Sequence, residues 1–414
     1  MGSRTPRRPG CPPRTNCASS AKRSIRSRCA TERYADGYSA SSSLFPIAPL
    51  RLSLAVGMTR LRTPLTELVG VEHPVVQTGM GWVAGARLVS ATANAGGLGI
   101  LASATMTLDE LATAIAKVKA ATDKPFGVNI RADAADAGDR VDLMIREGVK
   151  VASFALAPKQ ELIARLKEAG AVVIPSIGAA KHARKVAGWG ADAMIVQGGE
   201  GGGHTGPVAT TLLLPSVLDA VRGTGIPVIA AGGFFDGRGL AAALSYGAAG
   251  VAMGTRFLLT SDSTVPDAVK RRYLEAALDG TVVTTRVDGM PHRVLRTGLV
   301  EKLENGSPVR GLTAAVRNAA KFKHMSRMTW RSMISDGLAM RHGKELTWSQ
   351  VVMAANTPML LKAGLVDGNT EAGVLASGQV AGILEDLPSC AELIDSIVRD
   401  AIEHLRAASA LVHE

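Results

Sequence analysis

PVIAAGGFFDGRGLAAALSYGAAGVAMGTRF, at residues 227–257, contains two short apolar runs, and glycine follows each run. The runs, Pro227–Ala231 and Gly250–Met253, do not alternate with polar residues, which is typical of parallel strands that are buried on both faces. A helical pattern separates them, and the spacing between their starts is that of one strand–helix unit. This stretch therefore predicts two successive parallel strands joined by a helix.

The same pattern extends back to about residue 66. Apolar residues at helical spacing, such as Leu108, Leu111 and Ile115, separate the runs. Eight strand–helix units within residues 58–260 predict a (β/α)8 TIM barrel, and a doubly wound sheet is the alternative. The six earlier runs are Pro74–Gln77, Leu98–Leu101, Phe126–Ile130, Val151–Ala155, Val172–Ser176 and Ala193–Gln197.

Residues 261–375 have a different pattern, which is mainly helical with one strand-like run at Val282–Val287. We expect them to form a lid at the C-terminal face of the barrel, where the active sites of this fold lie. Residues 376–414 include an amphipathic helix pattern that is expected to pack back on the barrel. Cations in the lid segment either bind an anionic substrate or form a solvated helix face. They are Arg286, His292, Arg293, Arg296, Arg317, Lys321, Lys323, His324, Arg327 and Arg331.

The formal net charge of +11 is concentrated at the start of the chain. Residues 1–57 hold ten Lys or Arg and two acidic residues, which leaves +3 on the other 357 residues. The body of the protein therefore has no electrostatic footprint for nucleic acid. We interpret residues 1–57 as a disordered basic extension, artefactual if Met58 is the real start. The alternative is a transit-like or nucleic-acid-binding arm.

Composition excludes several classes of protein. With 46% hydrophobic and 20% charged residues, the chain is too apolar for a disordered protein. It contains no run of 18 uncharged apolar residues, so no membrane-spanning helix is expected. Three of the four cysteines, Cys11, Cys17 and Cys29, lie in the basic extension, which excludes a disulfide scaffold. We expect a cytoplasmic protein with neither a membrane nor a nucleic-acid partner.

Glycines follow the last two predicted strands of the barrel. Gly232 and Gly233 come after the seventh strand, and Gly254 and Thr255 after the eighth. Loops at these two positions form the usual phosphate site of TIM barrels, because glycine lets backbone N–H groups approach the phosphate oxygens. The alternative is that these glycines only form tight turns. Two such sites at the expected strand ends favour a phosphate group.

A glycine-rich loop with one histidine follows the sixth strand. Residues 197–206 read QGGEGGGHTG, and backbone of this kind lets a ligand pass close by. His204 is therefore the candidate general acid or base, since histidine titrates near neutral pH. The alternative is a floppy loop with an exposed histidine. The sequence reveals neither a triad partner nor a second His or Cys at metal-ligand spacing, so a hydrolase triad or a metal site is not expected.

Two other strand ends carry amide side chains. Gln77 ends the first strand and Asn129 lies in the third, and both positions face the mouth of the predicted barrel. A phosphate site together with polar amides at the mouth favours a phosphorylated planar cofactor. FMN fits this description, although the spacing alone does not name it.

With these residues, the chain resembles the nitronate monooxygenase (2-nitropropane dioxygenase) family and the related FMN-dependent enoyl-ACP reductase II group. The resemblance covers about residues 62–260 and returns at 376–382, which read ASGQVAG. It is carried most clearly by residues 190–206, taken together with the glycines after the last two strands. An inosine-monophosphate-dehydrogenase type is excluded, because no cysteine lies between Cys29 and Cys390.

The resemblance implies a TIM barrel with non-covalently bound FMN, a helical second domain and a catalytic role for His204. It implies that Gly232, Gly233, Gly254 and Thr255 bind the phosphate. The flavin ring would contact the segment Gln77–Met80, including Gly79 and Met80. The other cofactor contacts implied by the family are Asn129, Lys181, Gln197, Gly202 and Gly203.

The family contains two kinds of chemistry. One branch oxidises alkyl nitronates with oxygen, and the other moves a hydride between NAD(P)H, FMN and an electron-poor alkene. The stretch AKHARK at residues 180–185 and the basic lid favour the second branch. Because Arg and Lys pair with phosphates, the lid suits an acyl-CoA substrate, with Arg286, His292 and Arg296 as candidate contacts.

Within that branch, the chain resembles actinobacterial members linked to the breakdown of steroid-ring CoA thioesters. The resemblance thus predicts an FMN-dependent oxidoreductase that acts on an α,β carbon–carbon bond, with NAD(P)H as electron partner and a homodimer as the candidate assembly. A nitronate monooxygenase is the alternative enzyme. A phosphate-binding barrel without activity is the alternative that is not an enzyme.

Overall fold

The computed structural model describes residues 60–156, 158–305, 348–371 and 373–413. The chain divides into two units, Met1–Gly57 and Met58–Glu414, and the described residues all lie in the second. The predictions for residues 1–57 and for a start at Met58 fall outside the described residues. So do the lid cations at positions 317–331.

Eight parallel strands close into a barrel, which confirms the predicted TIM barrel. The last strand pairs with the first through Ala252 and Val76, so no open edge remains and the doubly wound sheet is excluded. The barrel strands, in spatial order, are β1 (Val75–Gln77), β2 (Leu98–Ala102), β3 (Phe126–Arg131), β4 (Val151–Ala155), β5 (Val172–Ile177), β6 (Met194–Gln197), β8 (Val228–Ala231) and β9 (Gly250–Met253).

Helices surround the barrel, and several begin at side chains that cap them. At the start of the helix Leu108–Ala121, for example, the Thr107 hydroxyl accepts a hydrogen bond from the Glu110 N–H. The Glu110 carboxylate in turn accepts the Thr107 N–H. None of the described helices is both long and apolar enough to cross a bilayer. They are α1 (Pro64–Val69), α2 (Ala86–Asn94), α3 (Leu108–Ala121), α4 (Ala137–Arg146), α5 (Gln160–Glu168), α6 (Ala180–Gly188), α7 (Thr210–Ala220), α8 (Gly237–Tyr246), α9 (Thr255–Leu258), α10 (Asp267–Leu274), α11 (Gly298–Asn305), α12 (Trp348–Leu365) and α13 (Cys390–Ser409), with a 3-10 turn at Gln379–Ile383.

Apolar side chains fill the barrel interior. Val76, Ile100, Ile174 and Ile229 belong to one buried cluster there, and none of them is exposed. A second layer of buried residues lies between the strands and the helices. Since the interior is packed, a ligand has access only at the rim, where loops follow the strands.

A small antiparallel sheet lies outside the barrel. It consists of β7 (Gly203–His204), β10 (Thr281–Thr284) and β11 (His292–Leu295), in the order β10–β11–β7. The predicted strand run at 282–287 corresponds to β10. The sequence did not indicate β11, because its first two residues are polar and give no apolar alternation. This sheet joins the segment after the barrel to the loop after β6.

The C-terminal part of the chain returns to the barrel twice. Residues 377–378 lie between the loop after β6 and the start of α9, where the Gly378 N–H donates to Thr255 Oγ1 at 2.8 Å. α13 then packs on α8 and α2 with Leu393, Ile394 and Ile397 buried. The Tyr273 hydroxyl, on α10, donates to the Ala376 carbonyl at 2.7 Å and fixes the first of these returns.

Candidate active site

The ends of four neighbouring strands meet on one side of the rim. β6, β8, β9 and β1 are consecutive around the barrel, so the loops that follow them are neighbours. A Cβ added at Gly254 would lie 3.3 Å from Thr78 Oγ1 and 3.4 Å from Met80 Sδ. A Cβ added at Gly232 would lie 3.0 Å from the Gly198 carbonyl oxygen. The glycine positions predicted from sequence thus form one continuous surface.

Part of this surface has the properties of a phosphate cradle. Gly232 and Gly233 have φ values of +92° and +84°, in the left-handed region that favours glycine. Thr255 Oγ1 accepts the Gly378 N–H, which leaves the hydroxyl hydrogen for a further acceptor. Backbone N–H groups and a free hydroxyl are suitable donors to phosphate oxygens. We call Gly232, Gly233, Gly254 and Thr255 the phosphate cradle.

The glycine-rich loop after β6 is held from several sides and is not floppy. The Glu200 carboxylate binds the first turn of α7, and Arg293, on β11, donates to a carbonyl of the loop. The amide of Gln197 closes the loop on itself. The bonds are Thr210 N to Glu200 Oε2 (3.0 Å), Thr210 Oγ1 to Glu200 Oε2 (2.8 Å), Arg293 Nη2 to Gly199 O (2.8 Å), Gln379 N to Glu200 O (2.9 Å) and Gln197 Nε2 to His204 O (2.9 Å).

His204 has a carboxylate partner that the sequence did not reveal. The pairing of β7 with β11 places His204 opposite His292, and Asp288 lies in the turn before β11. His204 Nε2 lies 2.6 Å from Asp288 Oδ2, and His292 Nδ1 lies 3.5 Å from the same oxygen. The two imidazole ring centroids are 4.7 Å apart. His204 has 58% of its side chain exposed, whereas the whole residues Asp288 and His292 are 6% and 2% exposed.

Asp288 remains ionised in this position. Burial alone would raise the pKa of its carboxyl, but the hydrogen bonds from His204 and the Met290 N–H, the neighbouring His292 ring and the charge of His204 outweigh burial. Together they hold the pKa well below its usual range. The site therefore contains a buried anion next to an exposed imidazole.

His204, Asp288 and His292 also have the spacing of metal ligands. Among the His, Cys, Asp and Glu side chains in the described parts of the chain, no other group of three or more has this spacing. The ligand atoms of these three residues lie within 4.8 Å of one another. Two ligands of a tetrahedral zinc ion are about 3.3 Å apart. The 2.6 Å between His204 Nε2 and Asp288 Oδ2 is shorter and is typical of a charge-assisted hydrogen bond. The group is therefore a histidine–carboxylate pair rather than an open metal site.

Comparison with known proteins identifies the family. A family profile described as nitronate monooxygenase matches residues 62–400. The chain belongs to the nitronate monooxygenase family. The predicted resemblance is thus confirmed, and the chain is a flavin-dependent oxidoreductase rather than a barrel without activity.

Two relatives of this family member carry the same name, "(3aS,4S,5R,7aS)-5-hydroxy-7a-methyl-1-oxo-octahydro-1H-indene-4-carboxyl-CoA dehydrogenase". The protein of Mycobacterium tuberculosis is 90% identical over 353 residues, which are 85% of this chain and 99% of the relative. That of Rhodococcus jostii is 73% identical over 354 residues, 86% of this chain and 99% of the relative. Among solved structures, FabK from Thermotoga maritima has a TM-score of 0.70 at 34% identity and covers 85% of this chain and 100% of its own.

The two amide side chains at strand ends that are predicted to contact the cofactor, Gln77 and Asn129, differ in burial. Gln77 is fully buried, donates to the Ile100 and Thr78 carbonyls, and has no partner for Oε1 in the described parts of the chain. Asn129 is half-buried and donates to Ser153 Oγ at 3.1 Å. A Cβ added at Gly79 would lie 2.5 Å from the Asn129 Cβ. Gly79 therefore allows the segment after β1 to lie against Asn129.

The rest of the predicted cofactor contacts lie on the loop after β6 or on α6. Gly202 touches the returning segment, since an added Cβ would lie 2.5 Å from the Gly378 nitrogen. Gly203 has a φ of +70° and belongs to β7. Lys181 is exposed on the first turn of α6.

The residues predicted to contact the substrate are only partly brought together. His292 lies behind His204 and is almost fully buried, whereas Arg286 is exposed in the turn between β10 and β11. Arg296 is exposed and lines a cavity of about 230 Å³ together with Arg272 and Glu275. The structure therefore joins His292 to the histidine–carboxylate pair and leaves the two arginines at the surface.

A flavin phosphate fits the residues that are present. Three of the four cradle residues are glycines and add no side chain of their own, and Thr255 offers a hydroxyl hydrogen beside strand ends of the barrel. Gln77 begins the segment predicted to contact the ring, and its buried Oε1 has no hydrogen-bond partner in the described parts of the chain. The cradle would hold the phosphate, and the side chains along the rim would border the ring.

Proposed function

We propose that this protein is an FMN-dependent oxidoreductase that acts on the α,β carbon–carbon bond of a fused-ring acyl-CoA thioester, with NAD(P)H or NAD(P)+ as electron partner. The 90% identity to the Mycobacterium tuberculosis dehydrogenase over 353 residues carries this proposal. The nitronate monooxygenase alternative has weaker support, since a Staphylococcus saprophyticus relative with that name is 30% identical over 291 residues.

The printed name of the two dehydrogenases describes the chemistry of a suitable substrate. It is a CoA thioester of a fused-ring acid, with a hydroxyl on the ring carbon next to the one that bears the thioester. A thioester carbonyl acidifies the hydrogen on its neighbouring carbon. Redox chemistry at this α,β position therefore needs both a hydride acceptor or donor and a group that exchanges a proton.

Residues of the rim would position the hydride acceptor or donor and supply the group that exchanges the proton. The phosphate cradle would hold FMN, which would supply the hydride acceptor or donor. His204 exchanges the accompanying proton, because its ring is exposed at the rim and its partner Asp288 stays anionic. Asn129, Lys181 and Gln197 are proposed to border the cofactor. Arg286 and Arg296 are proposed to pair with the phosphates of CoA.

Anaerobic visible spectroscopy of the purified full chain tests the proposal. NADH, NADPH, the thioester of the relatives' name and an alkyl nitronate are added separately. Bleaching of the flavin by a nicotinamide or its reaction with the thioester, without a response to nitronate, is the expected result. A response to nitronate alone would assign the monooxygenase activity. A protein without flavin that does not bind added FMN would contradict both activities.

His204→Ala tests the proton-exchange role. We expect turnover of the thioester to fall by about 10²- to 10⁴-fold while the flavin stays bound. His404→Ala, at an exposed position on α13, is the matched control and should leave turnover unchanged. Loss of flavin from His204→Ala would mean that the histidine has a structural role.

A further inference from the structure

We infer that Asp288 is a positioning residue that holds His204 in the tautomer with hydrogen on Nε2, so that Nδ1 is the atom that exchanges the proton with the substrate. The inference rests on the proposed function, because it assumes that His204 takes part in turnover. Its structural basis is independent of that function, since it concerns which nitrogen of the ring is already bonded.

The turn before β11 fixes the Asp288 carboxylate. Val287 is 1% exposed and packs with Val294 and Val300 in a small core. Its carbonyl accepts a hydrogen bond from Thr357 Oγ1 at 3.0 Å. Asp288 Oδ1 accepts the Met290 N–H at 3.0 Å, which leaves Oδ2 for the histidines. The carboxylate thus has one orientation, set by packing on one side and by a backbone donor on the other.

His204 is held from the opposite direction. Its backbone pairs with that of His292, its carbonyl accepts the Gln197 amide at 2.9 Å, and the next N–H, of Thr205, donates to the Pro291 carbonyl at 3.1 Å. With the backbone fixed on both sides, the ring meets Asp288 through Nε2 at 2.6 Å. An ionised carboxylate can only accept, so Nε2 carries the hydrogen of this bond.

The other nitrogen of the His204 ring is then the free base. Nδ1 has no hydrogen-bond partner in the described parts of the chain, and 58% of the side chain is exposed at the rim. A neutral imidazole with hydrogen on Nε2 has its lone pair on Nδ1. During oxidation, the proton of the substrate's α carbon would bond to Nδ1 as its C–H bond breaks, and the hydride from the β carbon would be taken by the flavin bound at the cradle. The resulting imidazolium remains bonded to the anionic Asp288.

His292 shields the Asp288 side of this pair from water. Its ring is 2% exposed, lies 4.7 Å from the His204 ring and closes the buried side of Asp288. The 3.5 Å between its Nδ1 and Asp288 Oδ2 is longer than a hydrogen bond between these atom types. Exclusion of water strengthens the bond between His204 and Asp288, because the local dielectric constant is low.

Nitrogen-15 NMR of the histidine rings in the full chain tests the tautomer directly and does not depend on turnover. The His204 signals are assigned by their absence in His204→Ala. We expect hydrogen on Nε2 in the unsubstituted protein and a mixture of tautomers in Asp288→Asn. Hydrogen on Nδ1 in the unsubstituted protein would overturn the inference whether or not the protein turns over a thioester.

Turnover of the proposed thioester provides the second readout. Asp288→Asn should lower kcat by about 100-fold or more while KM and flavin content stay within a few-fold, since the substrate still binds. Asp288→Glu, which restores a carboxylate, should recover part of the loss. Asp219→Asn is the matched control, because Asp219 is an exposed aspartate on α7 that pairs with Arg222.

Three further results would also overturn the inference. The first is a kcat of Asp288→Asn within threefold of the unsubstituted protein, and the second is loss of kcat and flavin together, which would indicate a structural role. The third is stoichiometric zinc binding that disappears in Asp288→Asn, which would mean that the three side chains hold a metal. Failure of the proposed function is distinguishable from all of these, because the unsubstituted protein itself would then lack flavin or thioester turnover.

Discussion

At the scale of single residues, the phosphate cradle depends on the absence of a side chain at Gly233. A Cβ added there would lie 3.5 Å from the Glu200 Cβ. Gly233→Asp therefore places a new carboxylate beside the proposed phosphate position. We expect this variant to lose most of its flavin by charge repulsion. Gly233→Asn is the matched control, because asparagine has the same size without the charge and tolerates a positive φ. Equal flavin-to-protein absorbance ratios in the two variants would exclude a phosphate from this cradle.

Asp288 should also make stability depend on pH. Its pKa is lowered in the folded protein, so the stability it contributes is present above the pKa of the unfolded state and is lost as pH falls. We expect Asp288→Asn to lower the free energy of unfolding by about 2 kcal/mol near pH 7, and the difference to shrink below about pH 5. Urea unfolding of both proteins at several pH values measures it. A difference that is constant from pH 7 to pH 3 would contradict the assigned pKa direction.

Sequence reasoning could find only one member of the histidine–carboxylate pair. His204 stood out because glycines surround it in one continuous loop. Asp288 lies 84 positions away, and only the register of β7 against β11 brings it within hydrogen-bond distance. No local pattern encodes that register, since β7 has two residues. The ordinary Asp-Gly of a turn was the one signal in the sequence.

At the scale of elements, the contact of α8 with α13 depends on Gly237. A Cβ added there would lie 2.5 Å from the Ala401 nitrogen, which is backbone and cannot move away cheaply. We therefore expect Gly237→Ala to destabilise the protein by about 1–3 kcal/mol. Gly188→Ala, in α6, is the matched control, because nothing lies within 4 Å of its added Cβ. That change should stabilise the protein by about 0.5–1 kcal/mol, as alanine favours helix. Equal thermal shifts of the same sign would contradict the packing argument.

All eight barrel strands could be predicted from sequence to within a residue or two. Strands of a closed parallel sheet are buried on both faces, so their burial is visible as unbroken apolar runs. β11 could not be predicted, because it has one buried and one half-exposed residue at its start, His292 and Arg293, both polar. Its existence depends on β10 and β7, which are its partners on either side.

At the scale of the whole molecule, the C-terminal helix α13 packs against α2, near the start of the described residues. Cys390 is fully buried at the start of α13 and accepts a weak hydrogen bond from Thr92 Oγ1 at 3.7 Å. Burial raises the pKa of its thiol to about 12, so almost no thiolate is present at pH 8. We expect Cys390 to resist alkylation in the native protein and to react in urea, as measured by peptide mass mapping. Rapid native labelling would show that α13 detaches from the barrel.

Because Asp288 follows His204 by 84 positions, the two residues leave the ribosome at different times during synthesis. A growing chain that has emerged through residue 260 contains all eight barrel strands, yet it lacks both Asp288 and the segment that returns at Ser377 and Gly378. The candidate active site thus combines segments that are synthesised early with segments that are synthesised late. With the roles proposed for His204 and Asp288, we expect turnover to begin only when the late parts have docked.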